Sequence, residues 1–465
     1  MASVNSPICK DYWLNIVNTE AVMPALPMQQ HILPLSNLDL LIPPVYVYVF
    51  FCYKNPFPRT FASAISHLKA SLSRVLVPYY AFAGRLVIDS IGPPKVHCNN
   101  KGVRFTQAYA APPLSHLNLY NPDESVQGKL VPLPSMPFQE DGTPVFRIQV
   151  SEFSCGDIVI GFTFDHRIVD VYSANMFFVS WAKLWRNDST VSPTPSFTRS
   201  ILCPTDSPAY SPEIENMYVR YTSQESYKEN PHPPCLSSRI YYLDVKNIKN
   251  LQFNANKDGN KYTKLEVFNA YLWKLLICTQ NVKDTENCKI GIAVDGRPRL
   301  SEIEVSTNYF GNVIGLPFAE SNAYCIKTIS LCWSAGLIHD AIQSVANKEH
   351  FKSLIDFVET IKLTPVLAKI YCRENGMQSS GPAVVVSSGV RFPLYEVDYG
   401  WGKPTFGCYH FPWGGEAGYV MPSHSPAGDG SWLVYVHLPK EQLNAIESDP
   451  NCILLPIAQD LLHLA

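Results

Sequence analysis

The stretch DIVIGFTFDHRIVDVYSANMFFVSWAKLW, residues 157–185, decides the fold class. Its first part, Asp157–Phe164, is a short apolar run rich in β-branched and aromatic residues, which predicts a buried strand. From Ser173 to Trp185 the apolar residues recur at helical spacing, which predicts a helix with Ser173 as its N-cap. A strand that passes through a short turn into a helix is typical of α/β proteins, and His166 lies in the turn.

His166 and Asp170 form an H-x-x-x-D pattern in this turn. An imidazole at the end of a rigid strand suits a general base, because its ordinary pKa lies near neutral pH. Asp170 then either fixes the tautomer of the histidine or pairs with an arginine and holds the turn. The alternative is structural, with a histidine satisfied by a backbone carbonyl and an aspartate that caps the helix. A metal site is disfavoured, because no third ligand follows at metal-binding spacing.

Strand and helix patterns alternate on both sides of this segment. The further predicted elements are strands at Val45–Tyr53, Ile290–Val294, Ala383–Ser387 and Trp432–Leu438 and helices at Phe61–Leu76, Lys264–Cys278 and Ser330–Ile361. The proline-rich stretch Asn187–Glu213 has little apolar periodicity, as is typical of a linker. We therefore predict an α/β protein of two similar-sized domains, residues 1–190 and 219–465, with a linker at 191–218. A segment near 385–415 is expected to pack on the N-terminal domain.

The composition excludes several classes of protein. Of the 465 residues, 46% are hydrophobic and 17% are charged, which excludes general disorder. The formal net charge of −3 leaves no basic excess for a nucleic-acid partner. Thirteen cysteines without a C-x-x-C pair, and no signal segment, predict reduced thiols in a cytoplasmic protein. The most apolar early stretch, Val45–Tyr53, has about half of the ~20 residues that a membrane span needs, so no membrane association is expected.

Motifs of several other enzyme classes are missing from the sequence. There is no G-x-S-x-G elbow, no Walker A loop, and no third glycine of a dinucleotide fingerprint after Gly400 and Gly402. The segment Asp398-Tyr399-Gly400-Trp401-Gly402-Lys403-Pro404 is instead typical of a tightly bent loop. In such a loop the carboxylate of Asp398 binds backbone amides and the ring of Trp401 packs into the core.

Together and in this order, the two groups of residues resemble the BAHD acyl-CoA-dependent acyltransferases of plant specialised metabolism. The resemblance extends over essentially the whole chain. Its further landmarks are Leu35-Ser36-Asn37-Leu38-Asp39, Ala83-Gly84-Arg85-Leu86, Val294-Asp295-Gly296-Arg297 and Tyr309-Phe310-Gly311-Asn312. It implies a fold similar to chloramphenicol acetyltransferase, with mixed sheets flanked by helices and a channel at the domain interface. It also implies a monomer that uses acyl-CoA as co-substrate and has no permanently bound cofactor or metal.

The resemblance implies a role for each residue of the H-x-x-x-D motif. His166 is the general base, and it deprotonates the acceptor, which attacks the thioester carbonyl directly, without an acyl-enzyme. Asp170 is expected to pair with Arg297 and support the turn. Val171 replaces the glycine that usually follows this aspartate, and a β-branched residue would be strained at positive φ, so we expect a local adjustment there.

The loop at 398–402 is expected to be mainly structural, with Gly400, Trp401 and Gly402 forming its bend. Asp398 is also discussed in the family as a second catalytic residue, and we favour the structural role. Tyr399 replaces the phenylalanine that is common at this position, and its hydroxyl needs a hydrogen-bond partner if it is buried.

Four further residues are candidates for substrate binding. Arg391 lies where hydroxycinnamoyltransferases of the family grip an acidic acceptor, a task that suits a guanidinium. Asp165, if it faces the channel, would raise the pKa of the adjacent histidine and attract a cationic amine. Lys261 and Lys264 lie in the region where relatives hold coenzyme A, and solvated surface lysines are the alternative interpretation.

The reaction predicted from the sequence is transfer of an aromatic acyl group, hydroxycinnamoyl- or benzoyl-type, from acyl-CoA to a small plant metabolite. The segment Leu35–Tyr53 is similar to coniferyl alcohol acyltransferases, which favours an ester product. Tyr399 and Asp165 leave an amide product open, as in piperine-synthase-like members. A third alternative is a non-catalytic member that binds acyl-CoA or a partner protein.

Overall fold

The computed structural model describes residues 14–54, 60–89, 92–126, 128–134, 142–187, 191, 193–220, 236–279, 282–300, 307–361, 364, 366–371, 380–412 and 417–458. The β-strands, in chain order, are β1 (Leu14–Val22), β2 (His31–Pro34), β3 (Tyr46–Tyr53), β4 (Arg85–Val87), β5 (Lys95–Cys98), β6 (Val103–Ala110), β7 (Thr143–Pro144), β8 (Phe146–Phe153), β9 (Ile158–Asp165), β10 (Tyr218–Arg220), β11 (Leu236–Leu243), β12 (Asn287–Ile292), β13 (Val294–Asp295), β14 (Ile314–Gly315), β15 (Phe318–Asn322), β16 (Val366–Ala368), β17 (Ser380–Val386), β18 (Phe406–His410), β19 (Gly418–His424), β20 (Trp432–Pro439) and β21 (Leu455–Pro456). The α-helices are α1 (Phe61–Val75), α2 (Pro122–Ser125), α3 (Val171–Trp185), α4 (Ile214–Met217), α5 (Val245–Ala255), α6 (Lys264–Cys278), α7 (Ala323–Thr328), α8 (Leu331–Val345), α9 (Lys348–Thr360) and α10 (Lys440–Ser448).

Two mixed sheets organise the chain into two domains. The sheet of the N-terminal domain has the order β1-β6-β8-β9-β3-β18, and that of the C-terminal domain has the order β15-β12-β17-β19-β20-β11-β21. Neighbouring strands are antiparallel, except for β6 with β8, β12 with β17, and β17 with β19. Helices α1 and α3 pack against each other in the N-terminal domain, and α5, α6 and α8 do so in the C-terminal domain.

Strand β18 crosses from the C-terminal half of the chain into the N-terminal sheet. It pairs antiparallel with β3, from Phe406 opposite Cys52 to His410 opposite Tyr48. The hydrophobic core of the N-terminal domain accordingly includes side chains from both halves of the sequence. The two domains are therefore joined through a shared sheet as well as through the connecting segment.

Most of the elements predicted from apolar patterns are confirmed. Strand β9 is buried at every residue, and α6 begins and ends at the predicted residues, with a capping box of Thr263 and Glu266. The prediction of one helix from Ser330 to Ile361 was wrong, because α8 ends at Val345. The side chain of Asn347 then caps α9 by accepting a hydrogen bond from the backbone of His350.

The N-cap of α3 is Asp170, as in the structural alternative considered for the H-x-x-x-D motif, and not Ser173. The carboxylate of Asp170 accepts a hydrogen bond of 2.9 Å from the backbone N–H of Ser173. Val171 is the first helical residue and is not among the residues of positive φ, so the expected adjustment at this position does not occur. Among the described residues, no helix is long and apolar enough to cross a membrane.

Candidate active site

Three hydrogen bonds of the main chain fix His166 at the end of β9. Its N–H donates to the carbonyl of Val45 at 2.9 Å, which ties the turn to the segment entering β3. The N–H of Ile168 donates to Asp165 within the turn, at 3.1 Å. The carbonyl of His166 accepts a hydrogen bond of 2.9 Å from Nδ2 of Asn312, which belongs to the C-terminal half of the chain. The backbone of His166 is thus held from both halves of the sequence.

The His166 ring lies deep in the protein but keeps one nitrogen open to solvent. The side chain is half-buried, and Nδ1 is enclosed without a hydrogen-bond partner, which leaves Nε2 as the accessible nitrogen. The ring of Phe411 meets it edge-on, with 6.0 Å between ring centroids, and the ring of Tyr419 meets that of Phe411 edge-on at 4.8 Å. Burial lowers the pKa of His166, although Asp170 and Asp165 act in the opposite direction. The imidazole is therefore neutral at neutral pH and can accept a proton.

The structure brings Asp170 and Arg297 together in a buried ion pair. The guanidinium donates to both carboxylate oxygens, at 2.8 and 3.2 Å, and both side chains are almost fully buried. The same guanidinium also donates to the hydroxyl of Ser173 at 2.8 Å and to the carbonyl of Gly311 at 2.9 Å. Asp170 receives a further N–H from Val313 at 3.2 Å. With every oxygen of the carboxylate engaged, Asp170 holds the turn and the helix start in place.

Asp165 is only 2% exposed, and its negative charge is neutralised by an ion pair with Arg167. Its carboxylate accepts two hydrogen bonds from the Arg167 guanidinium, at 2.7 and 3.0 Å, and a third from the Arg167 backbone. A carboxylate engaged in this way offers no free negative charge to a cationic amine, which runs against the role that we expected for it.

Two buried polar residues of the site, Asn312 and Asp39, belong to the landmark motifs of the sequence but were assigned no role from it. Asn312 is fully buried, and its side chain bridges the His166 carbonyl and a carboxylate oxygen of Asp39, each at 2.9 Å. Asp39 is also fully buried and lies 3.4 Å from Nε of Arg199. The signal in the sequence was the occurrence of a polar residue in each of two distant landmark motifs, but no spacing relates residue 39 to residue 312.

The loop at 398–402 lies at the opposite end of β3 from His166. One oxygen of Asp398 accepts the backbone N–H groups of Gly400 at 2.7 Å and Gly402 at 3.0 Å, and both glycines have positive φ. The rings of Trp401 and Tyr53, the last residue of β3, are 5.5 Å apart. Since β3 rises by about 3.3 Å per residue from its start beside His166, the loop is roughly 20 Å from the imidazole.

Tyr399 is fully buried next to this loop, with its ring centroid 5.1 Å from that of Trp181. Its hydroxyl is enclosed and has no hydrogen-bond partner among the described residues. The hydroxyl that Tyr399 adds to the usual phenylalanine ring is therefore buried without the expected hydrogen-bond partner among the described residues.

The three basic residues predicted to bind substrates are exposed. Lys264 is the first residue of α6, and Lys261 lies in the loop that precedes it. Arg391 follows β17, near the point where Gly389 forms a bridge with Ser423 of β19. None of the three has an ion pair within the described part of the chain. There is also no group of three His, Cys, Asp or Glu side chains among the described residues that could hold a metal ion.

The model of a protein family described as the Transferase family matches residues 13–453 of this chain. A hydroxycinnamoyltransferase of Narcissus pseudonarcissus is 29% identical, over 92% of this chain and 97% of its own length. Agmatine hydroxycinnamoyltransferase 1 of Oryza sativa subsp. japonica is 28% identical, over 95% of this chain and 99% of its own length.

Solved structures are similar over nearly the whole fold. Vinorine synthase superposes with a TM-score of 0.70 at 22% identity, covering 97% of this chain and 98% of its own. TRI101 of F. graminearum, complexed with ethyl coenzyme A, superposes with a TM-score of 0.74 at 16% identity, covering 91% and 98%. The predicted α/β fold of two domains with mixed sheets is thereby confirmed, as is the predicted family. The chain belongs to the Transferase family that matches it, the BAHD acyl-CoA-dependent acyltransferases.

Proposed function

We propose that the protein transfers an aromatic acyl group, hydroxycinnamoyl- or benzoyl-type, from its CoA thioester to a hydroxyl group of a small plant metabolite. The observation that carries this proposal is the state of His166. A neutral imidazole, with Nε2 open and its backbone held by residues of both halves of the chain, is a ready proton acceptor. Membership of the family indicates that the other substrate is acyl-CoA.

In the proposed reaction Nε2 of His166 accepts the proton of the acceptor hydroxyl as its oxygen attacks the thioester carbonyl. The tetrahedral intermediate then collapses, the C–S bond breaks, and the thiolate of coenzyme A takes the proton back from the imidazolium. The base acts on the acceptor itself, so no acyl-enzyme forms. General-base catalysis of this kind contributes about 10²–10⁴-fold, and alignment of the two substrates contributes more.

A group of aromatic rings packed beside His166 supports an aromatic donor. Phe411 contacts the imidazole, Tyr419 contacts Phe411, and Tyr435 lies 6.3 Å from Tyr419, measured between ring centroids. Planar acyl groups stack favourably on such rings. The relatives named above are hydroxycinnamoyltransferases, which agrees with this donor class.

The pairing of Asp165 favours a hydroxyl acceptor over a cationic amine. Because Arg167 neutralises this carboxylate, the turn beside His166 lacks the anion that would anchor an ammonium group. The agmatine transferase among the relatives keeps the amide product as the second candidate. For substrate binding, the free guanidinium of Arg391 suits an acidic acceptor, and Lys261 and Lys264 suit the 3′-phosphate of coenzyme A.

The first test is a panel of acyl-CoAs with a pool of alcohol and amine acceptors, with products identified by mass spectrometry. We expect an aromatic ester. In His166→Ala we expect turnover to fall by at least about 10²-fold, while the exposed His424→Ala serves as control and keeps its rate.

Each other outcome has a definite meaning. Unchanged turnover in His166→Ala would refute the proposed base. An amide as main product would transfer the proposal to N-acylation. Retained binding of acyl-CoA without any product across the panel would show a non-catalytic member of the family.

A further inference from the structure

Four strands of the N-terminal sheet bring polar and charged side chains together at the end that leads into the turn after β9. Arg104 and Arg147 are the second residues of β6 and β8, and they are neighbours in the parallel register of these strands. Tyr46 begins β3 opposite Asp165, which ends β9, and Arg147 lies opposite Thr163, two residues earlier. Residues in register, and residues two apart along a strand, project from the same face of a sheet. These side chains therefore share one face.

Arg147 is buried in this group without an acceptor. Its side chain is fully buried, and none of its three guanidinium nitrogens has a hydrogen-bond partner among the described residues. The ring of Tyr46 lies beside it, with 5.8 Å between the ring centroid and Cζ. A guanidinium has five N–H donors, and one hydroxyl oxygen accepts at most two of them, so Tyr46 alone does not satisfy it. An ionised group buried without acceptors strongly destabilises a fold, so an acceptor from outside these side chains is needed.

The neighbouring charges leave the charge of Arg147 without a counter-ion. Both oxygens of the Asp165 carboxylate accept from the Arg167 guanidinium, at 3.0 and 2.7 Å. Arg104 is exposed and adds a further positive charge. Burial lowers the pKa of Arg147 and so does Arg104, whereas Tyr46 and Asp165 act in the opposite direction. The buried part of the group thus contains two guanidinium groups and one carboxylate, and one negative charge is missing.

We propose that the guanidinium of Arg147, with Tyr46 beside it, binds the carboxylate group of a small molecule. A carboxylate supplies one negative charge and two coplanar oxygens, which match the guanidinium in a bidentate pair. A doubly charged phosphate would exceed the single unpaired charge. Tyr46 is half-buried and Arg104 is exposed, so the protein surface is one side chain away from the guanidinium, and the ligand enters past these two residues.

Two sources offer this chemistry, an acceptor substrate that carries a carboxylate and a free aromatic acid. Arg147 lies opposite Thr163, which precedes His166 by three residues, or about 10 Å along β9. A small hydroxy acid is long enough to span such a distance. Assignment of the site to the acceptor rests on the proposed function, whereas the carboxylate site itself does not.

The site is tested with sodium benzoate as the carboxylate probe and benzamide as its neutral match. In dilute Tris buffer free of carboxylates, Arg147→Met should melt no lower than wild type, because it removes an unpaired buried charge at similar volume. Benzoate should raise the melting temperature of the wild-type protein, and Arg147→Met should weaken benzoate binding at least about tenfold by calorimetry. The control is Arg85→Met, whose guanidinium donates to the carbonyls of Gly84 and Gly102 at 2.8 and 2.9 Å. It should melt lower than wild type and keep the response to benzoate.

Three results would overturn the proposal. In the first, Arg147→Met melts as far below wild type as Arg85→Met does in the absence of benzoate, which would show that Arg147 already has acceptors. In the second, benzamide reproduces the effect of benzoate on the wild-type protein, and this comparison decides the matter even if Arg147→Met does not fold. In the third, benzoate binds Arg147→Met as tightly as wild type, so that the carboxylate binds elsewhere.

Kinetics with 4-(hydroxymethyl)benzoate and its methyl ester as acceptors separate the two sources. A KM that is about tenfold lower for the acid than for the ester in wild type, and equal for both in Arg147→Met, assigns the site to the acceptor. A preference for the acid that persists in Arg147→Met belongs to another cation such as Arg391, and benzoate binding at Arg147 is then that of a free acid. A protein that binds benzoate through Arg147 but transfers no acyl group would refute the proposed function and leave the carboxylate site standing.

Discussion

At the scale of single residues, the proposed role of His166 as the base depends on its burial. Removal of water disfavours the imidazolium, and this effect outweighs the nearby carboxylates, which are themselves paired with arginines. A base that stays neutral can work over a wide range of pH. The acid groups of the site thus serve to hold the turn and not to charge the histidine.

The pH dependence of kcat/KM measures the pH at which His166 becomes protonated. A general base is active only when unprotonated, so the rate should rise as pH passes upward through the pKa of His166 and then level off. Because burial lowers that pKa, we expect the midpoint of the acidic limb below the ~6.5 of an exposed imidazole. Steady-state rates from pH 4.5 to 8 in a constant-ionic-strength buffer, with acyl-CoA stability checked, would measure it. A midpoint above 7 would contradict the burial argument.

At the scale of elements, helix α3 and strand β3 each extend from the turn that contains His166 to the loop at 398–402. Asp170 caps the start of α3 beside His166, while Trp185 at its other end contacts Trp401, with 5.4 Å between ring centroids. The loop at 398–402 therefore closes the far end of both elements. Its carboxylate serves the bend of the loop, where Gly400 adopts a φ of 74°.

Replacement of Asp398 by alanine should cost stability and not chemistry. The loss of an acceptor for two backbone amides is expected to lower the free energy of unfolding by about 1–3 kcal/mol. We expect kcat/KM of the folded fraction to stay within about tenfold of wild type, because the loop is far from Nε2. Asp398→Asn, which keeps an acceptor oxygen, is the matched control. A loss of rate as large as that of His166→Ala, at unchanged melting temperature, would show that Asp398 is catalytic.

The elements that could be predicted from the sequence are those whose signals are local. The buried run of β9 and the capping box of α6 each consist of a few consecutive residues. Their local patterns were therefore enough to predict the two elements. Two errors came from competing local signals. Asn347 interrupts an otherwise helical period between α8 and α9, and Asp170 and Ser173 are both good N-caps three residues apart. In each case the choice depends on packing that the local pattern does not contain.

The site was predictable only in part, for the same reason. The H-x-x-x-D pattern and its resemblance to a family pointed to His166, but Asn312 lies 146 residues further along the chain. Its contact with the histidine depends on how the two domains meet. A motif search finds both motifs, whereas the hydrogen bond between them is a property of the tertiary structure.

At the scale of the whole molecule, buried histidines make the fold sensitive to acid. His350, at the start of α9, is 8% exposed, and its Nε2 is enclosed without a partner. Burial lowers its pKa to about 4, and burial likewise lowers that of His410 on β18 to about 4. Both rings are neutral in the folded protein at moderately acidic pH, where the unfolded chain binds protons.

Stability should therefore fall between the unfolded pKa of ~6.5 and the folded pKa of about 4. Over that range the unfolded state holds more protons, so the free energy of unfolding decreases as pH decreases. We expect His350 alone to account for a loss of about 2 kcal/mol between pH 7 and pH 5. Urea titrations at both pH values should show a smaller loss in His350→Gln, which retains the contribution of His410. Equal losses in the two proteins would show that His350 does not titrate as burial implies.

The strand exchange between the halves has a consequence for biosynthesis. Thr405, next to β18, donates to the carbonyl of Cys52 at the end of β3, across a separation of 353 residues. While the ribosome makes those intervening residues, one edge of β3 stays unpaired, and an exposed apolar edge is a template for aggregation. The sheet of the N-terminal domain is therefore completed only after nearly the whole polypeptide has been synthesised. To avoid aggregation until then, either translation must be faster than association with other unfinished chains, or a chaperone must cover that edge.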